Sequence, residues 1–221
     1  MDVSRCPKAD SAFFAHAVPS GCDDPNRMLH LSVETVETSH WEAVEFETGP
    51  RLGPGSLIAD KYEVEGVVGS GGMGVILAAR HRQLGHRVAI KILTGDESRK
   101  PESRARFLRE ARAAAALRSD HVVQIHDVGT LEGGDPFIVM ELLEGSDLAS
   151  VLAERGPLDW RQAVELLAQA AMAIRDAHEV GIIHRDLKPA NLFLTERSDG
   201  AALIKVLDFG ISKALTPLAQ E

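Results

Sequence analysis

The sequence has few cysteines, no excess of basic residues and no long apolar run. Its two cysteines, Cys6 and Cys22, lack metal-binding spacing, which favours a reducing compartment. The net charge of −9 gives no general attraction for nucleic acid or an anionic membrane, whereas a small anion needs only a local site. No run could span a bilayer, and the first residues make a poor signal peptide. We therefore expect a cytoplasmic protein without a membrane segment.

Residues 1–55 have mixed polarity and end in the linker-like GPRLGPGS. They predict a mostly disordered tail, part of which is acidic. For VETVETSHWEAVEF, within this tail, the pattern does not decide between a short strand and a short helix.

From Lys61 onward the pattern predicts an α+β fold. Alternation around Tyr62 and the runs VILAAR and RVAIKIL predict three strands. The stretch PESRARFLREARAAAALRS predicts a long helix, and HVVQIHDVG and PFIVMELLEG predict two further strands. After Gly145 the chain becomes helical, and the last long helix places Trp160, Val164, Leu167, Ala171 and Ile174 on one stripe. The expectation is a small antiparallel sheet with one helix, followed by a helical part.

The glycine cluster GSGGMGV, residues 69–75, is a weak signal by itself. A dinucleotide fold needs a helix after the glycines and an acidic residue about 20 positions later. Here the following residues are strand-like, so that interpretation fails. Two alternatives stay open at this point: a plain hairpin turn, or a loop whose backbone N–H groups cover a triphosphate.

Two charged residues interrupt apolar patterns. Lys91 lies in VAIK, on the same strand face as Ala89. It is either in an edge strand with its charge in water or aimed at phosphate. Glu110 interrupts the apolar stripe of the long helix, where a charge needs a partner. Its partner is either Arg106, one turn back, or a residue such as Lys91.

The stretch HRDLKPANLFL, residues 184–194, concentrates an imidazole, a guanidinium, a carboxylate, an ammonium group and an amide before an apolar strand. Proline prevents a continuous helix there. VLDFG supplies a second carboxylate, Asp208, after a predicted hairpin around RSDGAA. That carboxylate is either an ordinary strand exit or a metal ligand.

These five motifs, in this order, resemble those of eukaryotic-type Ser/Thr protein kinases, particularly the bacterial branch. The resemblance implies a two-lobe kinase fold, with an N-lobe at 56–143 and a partial C-lobe at 144–221. It ends within the activation segment, and no A-P-E motif follows. We therefore expect a truncated catalytic domain whose second half is marginally stable.

The resemblance also implies a role for each motif residue. The glycine-rich loop is expected to cover the phosphates of ATP, and Lys91, oriented by Glu110, is expected to contact these phosphates. The loop consists of Gly69, Ser70, Gly71, Gly72, Met73 and Gly74. Asp208 and Asn191 are expected to hold Mg²⁺, Asp186 to accept the proton of the attacking hydroxyl, and Lys188 to steady the γ-phosphate. The expected contacts of adenine and ribose are Val75, Ala89, Phe193, Met140, the backbone of Glu141 and Leu143, and Asp147.

The DLKPAN form around Lys188 resembles the Ser/Thr type, so the implied partners are ATP and a protein with a Ser or Thr acceptor. Arg185 resembles an arginine that binds a phosphate on the activation loop, for which Ser212 and Thr216 supply hydroxyls. The alternative is a nucleotide-binding or interaction module without transferase activity.

Overall fold

The structure, a computed structural model, describes residues 52–71 and 74–209, apart from the side chains of Glu97 and Glu110. The predicted tail up to residue 51 and the activation-loop hydroxyls, Ser212 and Thr216, lie outside the described residues. Leu52 already packs into the core of the first sheet. The packed part therefore includes residues that we had assigned to the tail.

The first part of the chain is a six-stranded antiparallel sheet. Its strands, in the spatial order β1-β2-β3-β4-β6-β5, are β1 (Leu57–Ile58), β2 (Tyr62–Gly71), β3 (Gly74–His81), β4 (Arg87–Leu93), β5 (Ile125–Thr130) and β6 (Pro136–Glu141). Five of them match the predicted strands, and the short β1 was not predicted. Strand β5 begins four residues later than expected, because residues 121–123 pair with Val206 of the second sheet instead.

Strand β4 is central in this sheet and is covered on both faces. One face, with Val88, Ile90 and Ile92, packs in an apolar cluster with residues of β2, β3 and β6. The other face carries Ala89 and Lys91, which are also buried. Phe193 and Leu207, from the second part of the chain, share a buried cluster with Ala89 and so cover this face.

Two helices follow β4: α1 (Gly95–Arg99) and α2 (Pro101–Ala115). Proline begins α2, where its missing N–H costs no hydrogen bond. Phe107 and Ala111 pack against Leu93 and Ile138 of the sheet. The helix ends four residues earlier than predicted.

The second part contains helices α3 (Leu148–Arg155) and α4 (Trp160–Glu179) and a three-stranded sheet of β7 (Ser146–Asp147), β8 (Leu192–Glu196) and β9 (Ala202–Val206). Asp147 caps α3 by accepting from the N–H groups of Ala149 and Ser150, and Asp159 caps α4. Such caps satisfy N–H groups that a helix leaves unpaired at its start.

The buried stripe of α4 differs from the predicted one. Leu166, Ala170, Ala173 and Ala177 form the buried face, whereas Trp160, Val164 and Leu167 are 65%, 61% and 57% exposed. Helix α4 is apolar on more than one side, so period alone could not select its inner face. Small alanines allow α4 to pack closely on β9. No described helix is long and apolar enough to cross a membrane.

The two sheets meet where β9 pairs with the loop after α2. Val122 forms a parallel bridge with Val206, and Val206 N–H donates to the carbonyl of His121. This junction carries the residues that follow β9, including Asp208, toward the face of the first sheet that contains Lys91.

Candidate active site

The glycine cluster forms the hairpin between β2 and β3. Gly71 pairs with Gly74, and the two residues between them, Gly72 and Met73, lie outside the described residues. At Gly74, with φ of +150°, an added Cβ would lie 2.0 Å from the carbonyl oxygen of Ile92. This glycine is therefore required by the close approach of β3 to β4, independently of any ligand.

Lys91 is a buried lysine in the centre of the sheet, only 6% exposed. The edge-strand interpretation of this residue is therefore wrong. Its Nζ lies 2.6 Å from Oδ1 of Asp208, a residue 117 positions later in the chain. Glu110 is in α2, but its side chain is outside the described residues, so its pairing with Lys91 stays a prediction.

The loop before β8 is organised by the buried His184. Its Nε2 lies 2.8 Å from the carbonyl oxygen of Leu207, and its Nδ1 accepts from the N–H of Asp186 at 3.3 Å. Burial lowers the pKa of His184 from its ordinary value, which favours the neutral ring. A neutral ring that accepts at Nδ1 donates through Nε2. The imidazole thereby ties the loop of Asp186 to the residue before Asp208.

Asp186, Lys188 and Asn191 lie together. Asn191 Nδ2 donates to the main-chain carbonyl of Asp186 at 2.8 Å and lies 3.4 Å from its carboxylate Oδ2. Lys188 Nζ is 3.0 Å from the same Oδ2. A single turn of 3₁₀ helix, Pro189–Asn191, holds the asparagine at this position.

Asp208 joins this group through the backbone. The N–H of Leu207 donates to the carbonyl of Asn191 at 2.9 Å, and the Phe209 ring lies 4.9 Å from that of His184. Two non-glycine residues here, Arg185 (φ 64°) and Asp208 (φ 52°), adopt the left-handed region. Such backbone is uncommon outside glycine and concentrates at functional sites. The structure thus brings Lys91, Asp186, Asn191 and Asp208 to one place, as the motifs predicted.

The predicted adenine pocket needs one correction. Ala89, Met140, Leu143 and Phe193 belong to one buried cluster, whereas Val75 packs in the cluster on the opposite face of the sheet. Adjacent strand residues point to opposite faces, so Ile76 is the β3 residue that shares the cluster with Ala89. The predicted pocket residue, Val75, is therefore one position too early in the sequence.

This correction predicts different effects for two neighbouring substitutions. Ile76→Ala should weaken nucleotide binding by about 1–2 kcal/mol, because it removes apolar contacts from the pocket side of β3. Val75→Ala, a change on the other face, should lower stability but leave the dissociation constant nearly unchanged. Titration of a fluorescent ATP analogue, at temperatures where both variants are folded, measures the difference. Equal losses of affinity in the two variants would contradict the correction.

Two other predicted nucleotide contacts, Asp147 and Glu141, also form hydrogen bonds within the protein. Both carboxylate oxygens of Asp147 are engaged at the start of α3, Oδ1 by two N–H groups and Oδ2 by the hydroxyl of Ser150 at 2.7 Å. Its ribose contact stays a prediction. The N–H of Glu141 donates to the carbonyl of Gln124, which fixes the segment leading from β6 to Leu143.

A buried ion pair that we did not predict links this segment to β9. Lys205 Nζ lies 2.7 Å from Glu141 Oε1, and the same oxygen accepts from the N–H of Gln124 at 2.7 Å. Lys205 stands three residues before Asp208, inside the apolar run IKVL. A lysine in an apolar strand was the signal that singled out Lys91, and it could have singled out Lys205 as well.

The degree of burial predicts how much this pair matters. Lys205→Met leaves the Glu141 carboxylate without its cation and should cost about 2 kcal/mol of unfolding free energy, below the range for a fully buried pair because Glu141 is 24% exposed. The control is Arg87→Met, which breaks the Arg87–Glu65 pair at the same 2.7 Å separation, where Arg87 is 43% exposed. That loss should stay under about 1 kcal/mol.

Urea denaturation of both variants measures the two losses, and Glu141→Gln added to Lys205→Met should recover part of the larger one. If the two single variants lose the same free energy, burial of the Lys205 pair has no special effect.

The chain matches known proteins over most of the described region. A family model for the protein kinase domain matches residues 62–220. Serine/threonine-protein kinase pkn3 of Myxococcus xanthus is 41% identical over 159 residues, covering 72% of this chain and 29% of that protein. PknB of Mycolicibacterium smegmatis is 40% identical over 161 residues, covering 72% of this chain and 25% of that protein.

A solved structure agrees at the level of the fold. The crystal structure of the Mycobacterium tuberculosis PknI kinase domain has a TM-score of 0.65 and 32% sequence identity, with 73% of this chain and 64% of that chain covered. The matched part of the chain spans only 29% and 25% of the lengths of the two bacterial relatives.

Proposed function

The chain belongs to the protein kinase family, and from that premise we propose that it transfers the γ-phosphate of ATP to a serine or threonine hydroxyl of a protein. The observation that carries the proposal is the meeting of four motif residues. Asp208 Oδ1 contacts Lys91, while Asn191 donates to Asp186 and accepts from the residue before Asp208. Phosphoryl transfer needs positioned charge more than covalent chemistry, and this cluster supplies positioned charge.

The nucleotide is proposed to lie between the two sheets. Its adenine would occupy the cluster formed by Ile76, Ala89, Met140, Leu143 and Phe193, which is apolar and has the aromatic and aliphatic surface that a flat base requires. The backbone of Glu141 and Leu143 would bond its edge. Its phosphates would pass beneath the glycine hairpin toward the ammonium group of Lys91.

Asp208 and Asn191 fit a magnesium ion. Mg²⁺ prefers oxygen ligands and commonly takes one or two carboxylates together with phosphate oxygens. The amide nitrogen of Asn191 is used by the Asp186 carbonyl, which leaves its Oδ1 as the ligand atom. Asp208 contributes a carboxylate whose position is fixed by Lys91. When bound, the ion neutralises charge on the phosphates.

Asp186 and Lys188 are proposed to act on the acceptor hydroxyl. The Asp186 carboxylate takes the proton of the acceptor hydroxyl while the hydroxyl oxygen forms a bond to the γ-phosphorus of ATP. The bond between the γ-phosphorus and the oxygen that bridges to the β-phosphate breaks, and ADP leaves. Lys188, 3.0 Å from Asp186 Oδ2, is placed to stabilise charge on the transferred group. Hydrogen bonds from the Asp186 N–H to His184 and from Asn191 to the Asp186 carbonyl hold this loop in position.

Arg185 is proposed to bind a phosphate on the activation segment. Its Nη1 is buried and has no hydrogen-bond partner among the described residues. A buried guanidinium donor without a partner is costly, and a phosphate oxygen would satisfy it. Ser212 and Thr216 are the candidate phosphorylation sites.

The proposal also includes a cytoplasmic setting and a protein substrate, as expected from the composition and the motifs.

A phosphotransfer assay with Lys91→Met tests the proposed function. The 221-residue chain and its variant are incubated with γ-labelled ATP, Mg²⁺ and a library of Ser/Thr peptides, and incorporated label is identified as phosphoserine or phosphothreonine. We expect Lys91→Met to lower incorporation by about 10²-fold or more, because it removes a charge fixed on the phosphates.

The matched control is Lys61→Met, which removes a lysine whose side chain is 57% exposed and pairs with Asp127 at the surface. It should retain activity. Absence of incorporation by the unmodified chain, with ATP still bound, would favour the nucleotide-binding module instead. Incorporation that Lys91→Met leaves unchanged would overturn the assignment of the site.

A further inference from the structure

Helix α2 presents an arginine face on the side away from the sheet. Arg106, Arg109 and Arg112 follow at intervals of three, which places them on neighbouring positions of one face. Arg109 is two positions from each of the buried residues Phe107 and Ala111, about 200° around the helix. Arg109 and Arg112 are exposed, and Arg106 is half-buried.

These arginines are available to a partner. No side chain of the three forms an ion pair or hydrogen bond with a residue that the structure describes. Their neighbour Arg104, in contrast, donates to the carbonyl of Gly134, and Arg99 lies 3.9 Å from Asp96. A group of unpaired guanidinium groups at intervals along one helix is a surface for carboxylates.

The charge of this region is opposite to that of the whole chain. Residues 99–118 contain seven lysines and arginines and two glutamates, whereas the chain as a whole has a net charge of −9. Such local asymmetry favours association with an acidic partner.

An acidic segment lies in the sequence before the residues that the structure describes. Between Arg27 and Arg51 the chain has five glutamates and no lysine, arginine or aspartate. Trp41, Val44 and Phe46 alternate with glutamates there. An arginine on the helix could therefore meet either a carboxylate or the face of an aromatic ring.

The chain that connects the acidic segment to the described part can span a distance comparable to the width of a small domain. Leu52, the buried residue at which the described part begins, lies ten positions after Glu42. An extended chain of that length spans about 33–36 Å, which is on the order of the diameter of a small domain.

We propose that the acidic segment, residues 34–47, docks on the arginine face of α2 in the same molecule. Each exposed ion pair is weak by itself, but the covalent connection gives the segment an effective concentration on the order of millimolar. Several weak contacts then suffice for binding. The inference goes beyond the proposed function and does not depend on it, although docking on α2 acts on the helix that carries Glu110.

Fluorescence of Trp41 in the full chain tests the docking. The sequence has only two tryptophans, Trp41 and Trp160, so Trp160→Phe leaves Trp41 as the single reporter. We expect acrylamide to quench Trp41 less in the native chain than in urea. Arg109→Glu combined with Arg112→Glu should abolish that protection, as should about 1 M NaCl, where the Debye length is about 3 Å.

A charge exchange separates docking from an indirect effect. Adding Glu42→Arg and Glu45→Arg to the double arginine variant should restore the protection of Trp41. The control is Arg155→Glu with Arg197→Glu, two exposed arginines outside α2, and it should leave protection unchanged. Circular dichroism checks that each variant is folded.

Three results would overturn the proposal: equal quenching in the native and arginine-reversed chains, failure of the charge exchange to restore protection, or equal loss in the control. Protection that appears only as the protein concentration is raised would also overturn it, because the contact would then join two copies.

Discussion

Asp186→Asn is expected to lower phosphotransfer by about 10²–10⁴-fold, the usual contribution of a positioned general base. Asparagine has nearly the same shape as aspartate but cannot take the proton of the attacking hydroxyl. The main-chain carbonyl that Asn191 bonds is unchanged by the substitution, so the local backbone should persist. Steady-state transfer of label from ATP measures the loss, and a parallel titration with an ATP analogue measures binding.

The expected signature is a separation of turnover from affinity. Because Asp186 is proposed to act on the acceptor hydroxyl, the dissociation constant of the nucleotide should change by less than about threefold, or about 0.7 kcal/mol. Asp120→Asn, at an exposed position outside the site, is the control and should leave both quantities unchanged. If Asp186→Asn weakens nucleotide binding as much as it lowers turnover, Asp186 is not acting on the acceptor alone.

The charged motifs were informative because each places a charged side chain within or next to an apolar stretch, where burial without a partner is unfavourable. Lys91 in an apolar strand and Asp208 at the end of another each needed a partner, and the structure makes them partners of each other at 2.6 Å. Burial of an unpaired charge is unfavourable enough that a pattern of such charges constrains the tertiary structure. The pairing itself, across 117 positions of chain, was not evident from either motif alone.

The apolar positions were less informative because hydrophobic residues fit several neighbours equally well. Helix α4 has an apolar stripe on its exposed side as well as on its buried side, and the larger residues of the exposed stripe were the more prominent in sequence. Val75 and Ile76 are both apolar, both buried and adjacent, so only the register of β3 with β4 distinguishes their faces. In the structure Ile76 is opposite Lys91 and Val75 is opposite Ile92.

Backbone conformation was not predictable at all from these residue types. The left-handed φ of Arg185 and of Asp208 is seldom adopted by residues other than glycine. These two positions turn the chain on either side of the hydrogen bond between His184 and Leu207. A cost on the order of 1–3 kcal/mol at each such position has to be offset by the surrounding hydrogen bonds, such as the one between His184 and the Leu207 carbonyl.

Asp208→Asn should lower phosphotransfer by about 10³-fold or more, because a metal ion contributes several kcal/mol of charge stabilisation in such reactions. The substitution also removes the negative partner of the buried Lys91 ammonium group. Unlike Asp186→Asn, it is expected to act at the stage of nucleotide binding. In the unmodified chain, Mg²⁺ should tighten the binding of ATP, and this gain should be lost in Asp208→Asn.

The comparison requires nucleotide titrations with and without Mg²⁺ in three proteins: the unmodified chain, Asp208→Asn and Asp186→Asn. The magnesium-dependent gain should survive in Asp186→Asn, whose carboxylate faces Lys188, and disappear in Asp208→Asn. Without Mg²⁺, Asp208→Asn should bind ATP at least as well as the unmodified chain, because a negative charge beside the phosphates is gone. If both variants keep the gain, Asp208 is not a metal ligand, and the turn after β9 would have to be explained by its ion pair with Lys91 alone.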